Sequence, residues 1–151
     1  ADVFDASSVA SLPEKMIFVA GGIGITPLYA MTRHWLNFTH HLQPLRPRLT
    51  MFYSAGCVEE MIFLEELRKI ESSRPDFFKL RLHETRSSAN SHTVHSRIGK
   101  IELMEEIRAV PHSSSLLCCV CGPPSMTDSI TALLRNDVGL AREQVRLEKW
   151  W

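Results

Sequence analysis

Apolar runs of strand length and apolar stripes at helical spacing take turns along this chain, and that alternation predicts a β-α-β-α order before any chemistry is considered. Met16-Ile17-Phe18-Val19-Ala20 is a continuous apolar run, and Leu28, Met31, Trp35 and Leu36 then recur at helical spacing until a polar stretch with Pro44 and Pro47 ends the helix. A second strand runs from Leu49 to Tyr53. Met61, Leu64, Leu67 and Ile70 form the next stripe, with Glu65 and Lys69 one turn apart on its wet side. Phe78, Leu80 and Leu82 alternate with Lys79, Arg81 and His83, which predicts a third strand with one polar face, at a sheet edge. Residues 86–96 are polar, rich in serine and without period, as a long surface loop is. A short helix over about 102–109 follows. Leu116 to Cys121 is apolar throughout, as expected of a central parallel strand covered on both faces. Ser125 precedes Asp128 at capping-box spacing, and Ile130, Leu133 and Leu134 supply the buried stripe of a helix stopping near Gly139. A last strand runs from Val145 to about Trp150. The predicted class is α/β: a doubly wound, five-stranded parallel sheet of order 3-2-1-4-5 with helices on both faces and no internal repeat.

Two of the strand ends carry glycine turns. The first strand enters Gly21-Gly22-Ile23-Gly24-Ile25-Thr26-Pro27, the build of a phosphate-binding turn. Glycine lets the backbone approach a ligand with no Cβ in the way, and the helix that follows aims its unpaired N–H groups at an anion. Pro27 suits the first helical position and Thr26 can cap it. One such turn is a weak signal, since ligand-free bends also use glycine. A second turn of the same kind strengthens it, where the fourth strand enters Cys121-Gly122-Pro123-Pro124-Ser125. In the order 3-2-1-4-5 the first and fourth strands are neighbours at the switch point, so both turns rim one crevice.

Composition narrows the function classes. Lys plus Arg and Asp plus Glu are 17 each in 151 residues, so no bulk field recruits nucleic acid or an anionic membrane, and no apolar run is long enough to span a bilayer. The chain begins Ala1-Asp2-Val3, without methionine, which points to a natural N-terminal part lying upstream. Of the four cysteines, Cys57, Cys118, Cys119 and Cys121, three share one apolar stretch without Cys-x-x-Cys spacing, so no zinc site is assigned. Cys119 and Cys121 share one strand face and Cys118 takes the other, a use of thiols that fits an intracellular reducing compartment, cytoplasm or mitochondrion. His83, His92 and His95 stand close enough in sequence to raise a metal set, but a solvated loop explains them and no metal is assigned.

The first glycine turn, the run Cys121-Gly122-Pro123-Pro124-Ser125-Met126 and the ending Glu148-Lys149-Trp150-Trp151 together resemble the NAD(P)-binding domain of the ferredoxin reductase superfamily, from about Met16 to Trp151. The resemblance implies hydride transfer between NAD(P)H and FAD carried on a preceding β-barrel domain, with residues 1–15 the end of the connection from it and 16–151 the nucleotide-binding domain. It further implies that Gly22, Gly24, Thr26 and Pro27, with Gly21, Ile23 and Ile25 around them, form the pyrophosphate turn. Cys121 would sit against the nicotinamide ring, with Gly122, Pro123, Pro124 and Met126 forming the same wall. Glu148 occupies the place of a near-terminal acid beside the flavin, and Trp151, or Trp150, that of a terminal aromatic stacked on it. The two tryptophans equally suit an edge of the core or an interface.

Ser54, in Tyr53-Ser54-Ala55-Gly56-Cys57, falls where this family holds the adenosine ribose. NADP-preferring members commonly place a basic residue shortly after that serine, to pair with the 2′-phosphate. Gly56 and Cys57 stand there instead, with Glu59 and Glu60 close by, so NAD(H) is favoured over NADP(H); Arg86 and Arg97 are the basic residues that would reverse this. The reading is a half-enzyme that presents NADH to FAD on its own N-terminal domain, the electron acceptor being unspecified. Alone it binds dinucleotide without turnover. The alternatives are a non-catalytic dinucleotide-sensing or adaptor domain, and a structural domain with an empty crevice.

Overall fold

Gly21 closes an apolar strand that lies at the centre of the sheet. The structure is a computed structural model and describes residues 12–40, 47–86, 97–110 and 115–148. Strands β1 (Lys15–Gly21), β2 (Arg48–Ala55), β3 (Phe78–Glu84), β4 (Leu116–Cys121) and β5 (Val145–Leu147) run parallel in the order β3-β2-β1-β4-β5. The doubly wound order read from the pattern is the order observed. Helices α1 (Ile25–Thr39), α2 (Leu64–Ser73), α3 (Lys100–Arg108) and α4 (Pro124–Ala132) fill the crossovers.

The alternation of side chains along the central strands splits the core in two. Phe18, Ala20, Met51, Tyr53, Cys119 and Cys121 pack against Leu28 and Trp35 of α1 and Leu67 and Ile70 of α2. Ile17, Val19, Phe52, Cys118 and Val120 pack on the other face against Leu103 and Ile107 of α3 and Ile130 and Leu134 near α4. The cysteines divide between the faces as the strand period requires, and all four are free thiols. Glu65 and Lys69 pair at 3.4 Å on exposed turns of α2.

Several local expectations are corrected. Neither predicted cap forms. Helix α1 starts at Ile25, one residue before Thr26, after a tight turn over Gly22–Gly24, so Thr26 lies inside the first turn, exposed, and Pro27 is its third residue. Helix α4 starts at Pro124, whose fixed φ suits that position, so Ser125 is already helical and makes no capping bond. Its last turn widens to a π turn over Leu133–Asp137 and is closed by Gly139 at φ +85, with the Leu140 N–H donating to the Leu134 carbonyl at 3.0 Å. On β3, Lys79 and Arg81 face solvent but His83 is buried at 1% exposure, its ring 6.0 Å from that of Phe52. The segment leaving β2 folds back over the end of β3, where the Val58 N–H donates to the buried Glu84 carboxylate at 3.3 Å. Strand β5 ends at Leu147, although the Glu148 N–H still donates to the Val120 carbonyl at 3.0 Å. His92, His95, Trp150 and Trp151 lie outside the described residues, as does most of the predicted 86–96 loop. Among the described residues no helix is long and apolar enough to cross a membrane, and no cluster of His, Cys, Asp or Glu is arranged to hold a metal ion.

At the amino ends of the strands, Glu106 of α3 is nearly buried and ties three strands together. Its carboxylate accepts from Lys15 at 2.9 Å, from the Thr50 hydroxyl at 3.0 Å and from Lys79 at 3.1 Å. Burial alone would raise its pKa, but the hydrogen bonds and charges of Lys15, then Lys79 and Thr50, outweigh it and hold the carboxyl at about 2.

Candidate functional site

The register of β1 against its neighbours sets the site. Ala20 lies opposite Tyr53 and Cys121, and Gly21 opposite Ser54, so the chain leaves β1, β2 and β4 at one level. The two glycine bends therefore meet side by side at the carboxyl ends of adjacent strands. They touch closely. A Cβ on Gly24 would run into the Cys121 carbonyl and stand 2.8 Å from the Gly122 nitrogen, while one on Gly21 would stand 2.5 Å from the Met126 sulfur and 3.1 Å from Pro123 Cδ. Gly22 has open space beside it but φ +54, a conformation that residues with a Cβ rarely adopt. Glycine is thus required for two reasons, close approach to backbone at Gly24 and backbone handedness at Gly22, while at Gly21 the crowding is by side chains, chiefly the movable end of Met126.

Beside the bends lies a crevice of about 560 Å³. Gly21, Gly22 and Ile23 line it from the first bend, Ser54, Ala55 and Gly56 from the end of β2, and Pro123, Ser125, Met126, Ser129 and Ile130 from the second bend and α4. The remaining wall comes from Glu60, Ile62, Thr85, Arg97 and Ile98.

The structure places the predicted residues differently. Gly21, Gly22, Ile23, Ser54, Pro123 and Met126 line the crevice. Gly24 and Gly122 stand behind it, in the packing of one bend on the other, and Ile25 is fully buried in the core; Thr26, Pro27 and Pro124 belong to the helix starts without lining the crevice. Cys121 is fully buried, on the core face shared with α1, and does not line the crevice. Burial, with a smaller contribution from the Glu148 charge, pushes its thiol up to about 11. Glu148 itself is half-buried just beyond β5, and Trp151 lies outside the described residues.

Near Gly56, the guanidinium of Arg86 lies against the glycine where a Cβ would be and pairs with Glu60. The Arg86 N–H also donates to the Gly56 carbonyl at 2.8 Å. Hydrogen bonding and charge from Arg86 hold the Glu60 carboxyl below its ordinary range, and Glu60 raises Arg86 in return. Arg97, the other basic residue, lines the crevice. The sequence reading did not anticipate Ile62, Thr85, Ile98 or Ser129 in the wall, nor that Ile130 of the predicted buried stripe would also reach it. Ile62 carried one weak signal, an isoleucine next to the apolar stripe yet out of its phase, and it is 46% exposed.

The sheet order and the paired bends at its switch point define a nucleotide-binding α/β domain. The model of the oxidoreductase NAD-binding domain matches residues 18–132, and the chain belongs to that family. Oxidoreductase NAD-binding domain-containing protein 1 of Danio rerio is 32% identical over 145 residues, covering 90% of this chain and 52% of that protein. The chain thus spans about half the length of the curated relatives it matches. In structure, the CS-b5R domains of human Ncb5or in the NAD+ form superpose with a TM-score of 0.80 at 19% identity, covering 97% of this chain and 39% of that one. A ferredoxin NADP+ reductase from Neisseria gonorrhoeae with bound FAD and NADP superposes with a TM-score of 0.68 at 21% identity, covering 93% and 58%. The fold is that of the NAD(P)-binding domain of the ferredoxin reductase superfamily.

Proposed function

We propose that this chain is the nicotinamide-binding half of a flavin-dependent oxidoreductase, presenting NADH for hydride transfer to FAD held on a domain that precedes it, with residues 1–15 leading in from that domain. The observation that carries the reading is the pair of glycine bends in mutual contact beside a 560 Å³ crevice. A pyrophosphate fits such a cradle because the Gly21 and Gly22 backbone lines it with no Cβ, at the head of α1, where helical N–H groups and dipole favour an anion. Bound nicotinamide supplies the hydride and flavin accepts it; the protein's part is distance, stacking and exclusion of water. In this reading Pro123, backed by Gly122 and the buried Cys121, forms the wall behind the nicotinamide, and Glu148 and Trp151 reach the flavin side.

NAD(H) is preferred over NADP(H) in this reading because Glu60 lines the crevice beside Ser54 to Gly56 and already engages Arg86, the cation nearest Gly56; Arg97, which also lines the crevice, is the cation that opposes this preference. A 2′-phosphate entering there meets a carboxylate whose partner is taken.

Calorimetric titration of the protein with NADH and with NADPH tests binding. The expected dissociation constant for NADH lies roughly in the micromolar to millimolar range usual for such enzymes, with NADPH weaker and no dye reduction by the chain alone. Absence of heat with NADH at millimolar concentration removes the proposal. One observation favours a sensing or adaptor domain instead: Cys121 is buried and is not among the residues that line the crevice. Stopped-flow mixing of NADH with the full-length, flavin-loaded protein separates the two, since only the enzyme bleaches its flavin.

A further inference from the structure

Among the described residues Phe63 is the one non-glycine residue with a left-handed backbone, φ 61 and ψ 11. A bulky side chain rarely accepts that region, because its Cβ crowds the following carbonyl. The residue sits at a junction. Its carbonyl accepts the Leu67 N–H at 2.9 Å and so opens α2, while the segment just before it, Val58 to Ile62, is the lip of the crevice, with Glu60 and Ile62 on the lining. Three fastenings meet there. Met61 is buried in the α1/α2 side of the core. The Tyr53 hydroxyl donates to the Ile62 carbonyl at 3.3 Å. The Phe63 ring lies flat on Tyr29, with centroids 4.2 Å apart and planes within 8°. Tyr29 belongs to α1, the helix fed by the first glycine bend.

Resting on the dinucleotide reading above, we infer that the Tyr29–Phe63 stack is a positioning device that holds the left-handed turn at Phe63, and so keeps Ile62 and Glu60 aimed into the crevice before the dinucleotide arrives. Glycine would take this φ freely and needs no ring to hold it there. Phenylalanine is the opposite case: the turn is unfavourable by itself and persists because the stack over-determines it. The same contact couples the lip to α1, so the lip and the phosphate bend share one rigid support. With the lip released, the binding-competent form is a fraction of the population and apparent affinity falls by that fraction.

Four proteins test this: Tyr29→Phe, Tyr29→Leu, Phe63→Gly in the Tyr29→Leu background, and the unsubstituted chain. NADH affinity is measured by calorimetry, and amide hydrogen exchange over residues 58–63 is followed without ligand. Tyr29→Phe keeps the stack and is expected to match the unsubstituted chain in both. Tyr29→Leu is expected to weaken NADH about tenfold, the factor set by the ordinary cost of the left-handed region to a residue with a Cβ, and to speed exchange in the lip while the β1 and β4 amides keep their protection. Adding Phe63→Gly should restore most of the lost affinity, since glycine takes the turn without support; a role in packing alone predicts a further loss. Unchanged affinity and exchange in Tyr29→Leu, or a deeper loss in the double variant, overturns the inference. If the unsubstituted chain does not bind NADH, the dinucleotide reading has failed, and the lip's exchange rate in Tyr29→Leu against Tyr29→Phe still decides what the stack does.

Discussion

Gly22 and Gly24, with only Ile23 between them, differ in why they are needed, and substitution separates the reasons. Gly24→Ala drives a Cβ into backbone at Cys121 and Gly122, which cannot move without parting the bends. It should cost about 2–3 kcal/mol in urea unfolding and abolish NADH binding. Gly22→Ala has room and carries only the penalty of its φ +54, about 1 kcal/mol; equal costs for the two would contradict the close-approach account. The thiols make a second residue-scale case. Cys118, Cys119 and Cys121 are buried, and burial pushes all three thiols up, Cys119 to about 12, whereas Cys57 is half-exposed. Native protein at neutral pH should therefore label once with maleimide and four times after unfolding, read by intact mass; labelling of Cys121 in the native state would contradict the packing. That three glycines cluster after an apolar strand was plain in the sequence. Which of them touches Cys121 was not, because that contact joins residues three crossovers apart.

Elements were legible where periodicity was strong and illegible where a single residue decides a boundary. The stripes of α1 and α2 and the apolar run of β4 read directly, since burial of one face dictates their spacing. The caps at Thr26 and Ser125 did not, because the chain must turn from strand to helix within the bends, and each helix has already begun one residue before the hydroxyl. Glu106 was invisible for another reason: its partners Lys15, Thr50 and Lys79 come from three strands and nothing local marks them. Its carboxyl is held at about 2 against an ordinary 4.5, so the stability it contributes is complete above that ordinary value and is lost as pH falls from 4.5 toward 2. Glu106→Gln should cost about 2 kcal/mol at neutral pH. The gap between the variant and the unsubstituted chain should close across that acid window, as read from urea midpoints at several pH values. A gap that persists at pH 2 would show that the network acts through shape and not charge.

At the scale of the molecule, the strand order and the meeting of the bends at its switch point followed from alternation and from two motifs far apart in sequence. The far wall of the crevice did not follow. Thr85, Arg97 and Ile62 come from connections after β2 and β3, where neither periodicity nor glycine marks them and only the folded sheet brings them to the bends. Their arrival explains why a domain with equal numbers of acids and bases can still hold a distinct charge pattern at one end, with Glu60, Arg86 and Arg97 gathered around the mouth. The central claim, that the crevice between the bends holds NAD(H), is tested most directly by titrating the isotope-labelled protein with NAD+ and following backbone amides. The account predicts shifts at Gly21 to Ile25, Ser54 to Gly56 and Gly122 to Ile130, saturating together, with the amides around Lys15 and Glu106 at the opposite end of the sheet unmoved. Shifts confined to that opposite end, or none at millimolar NAD+, would contradict it.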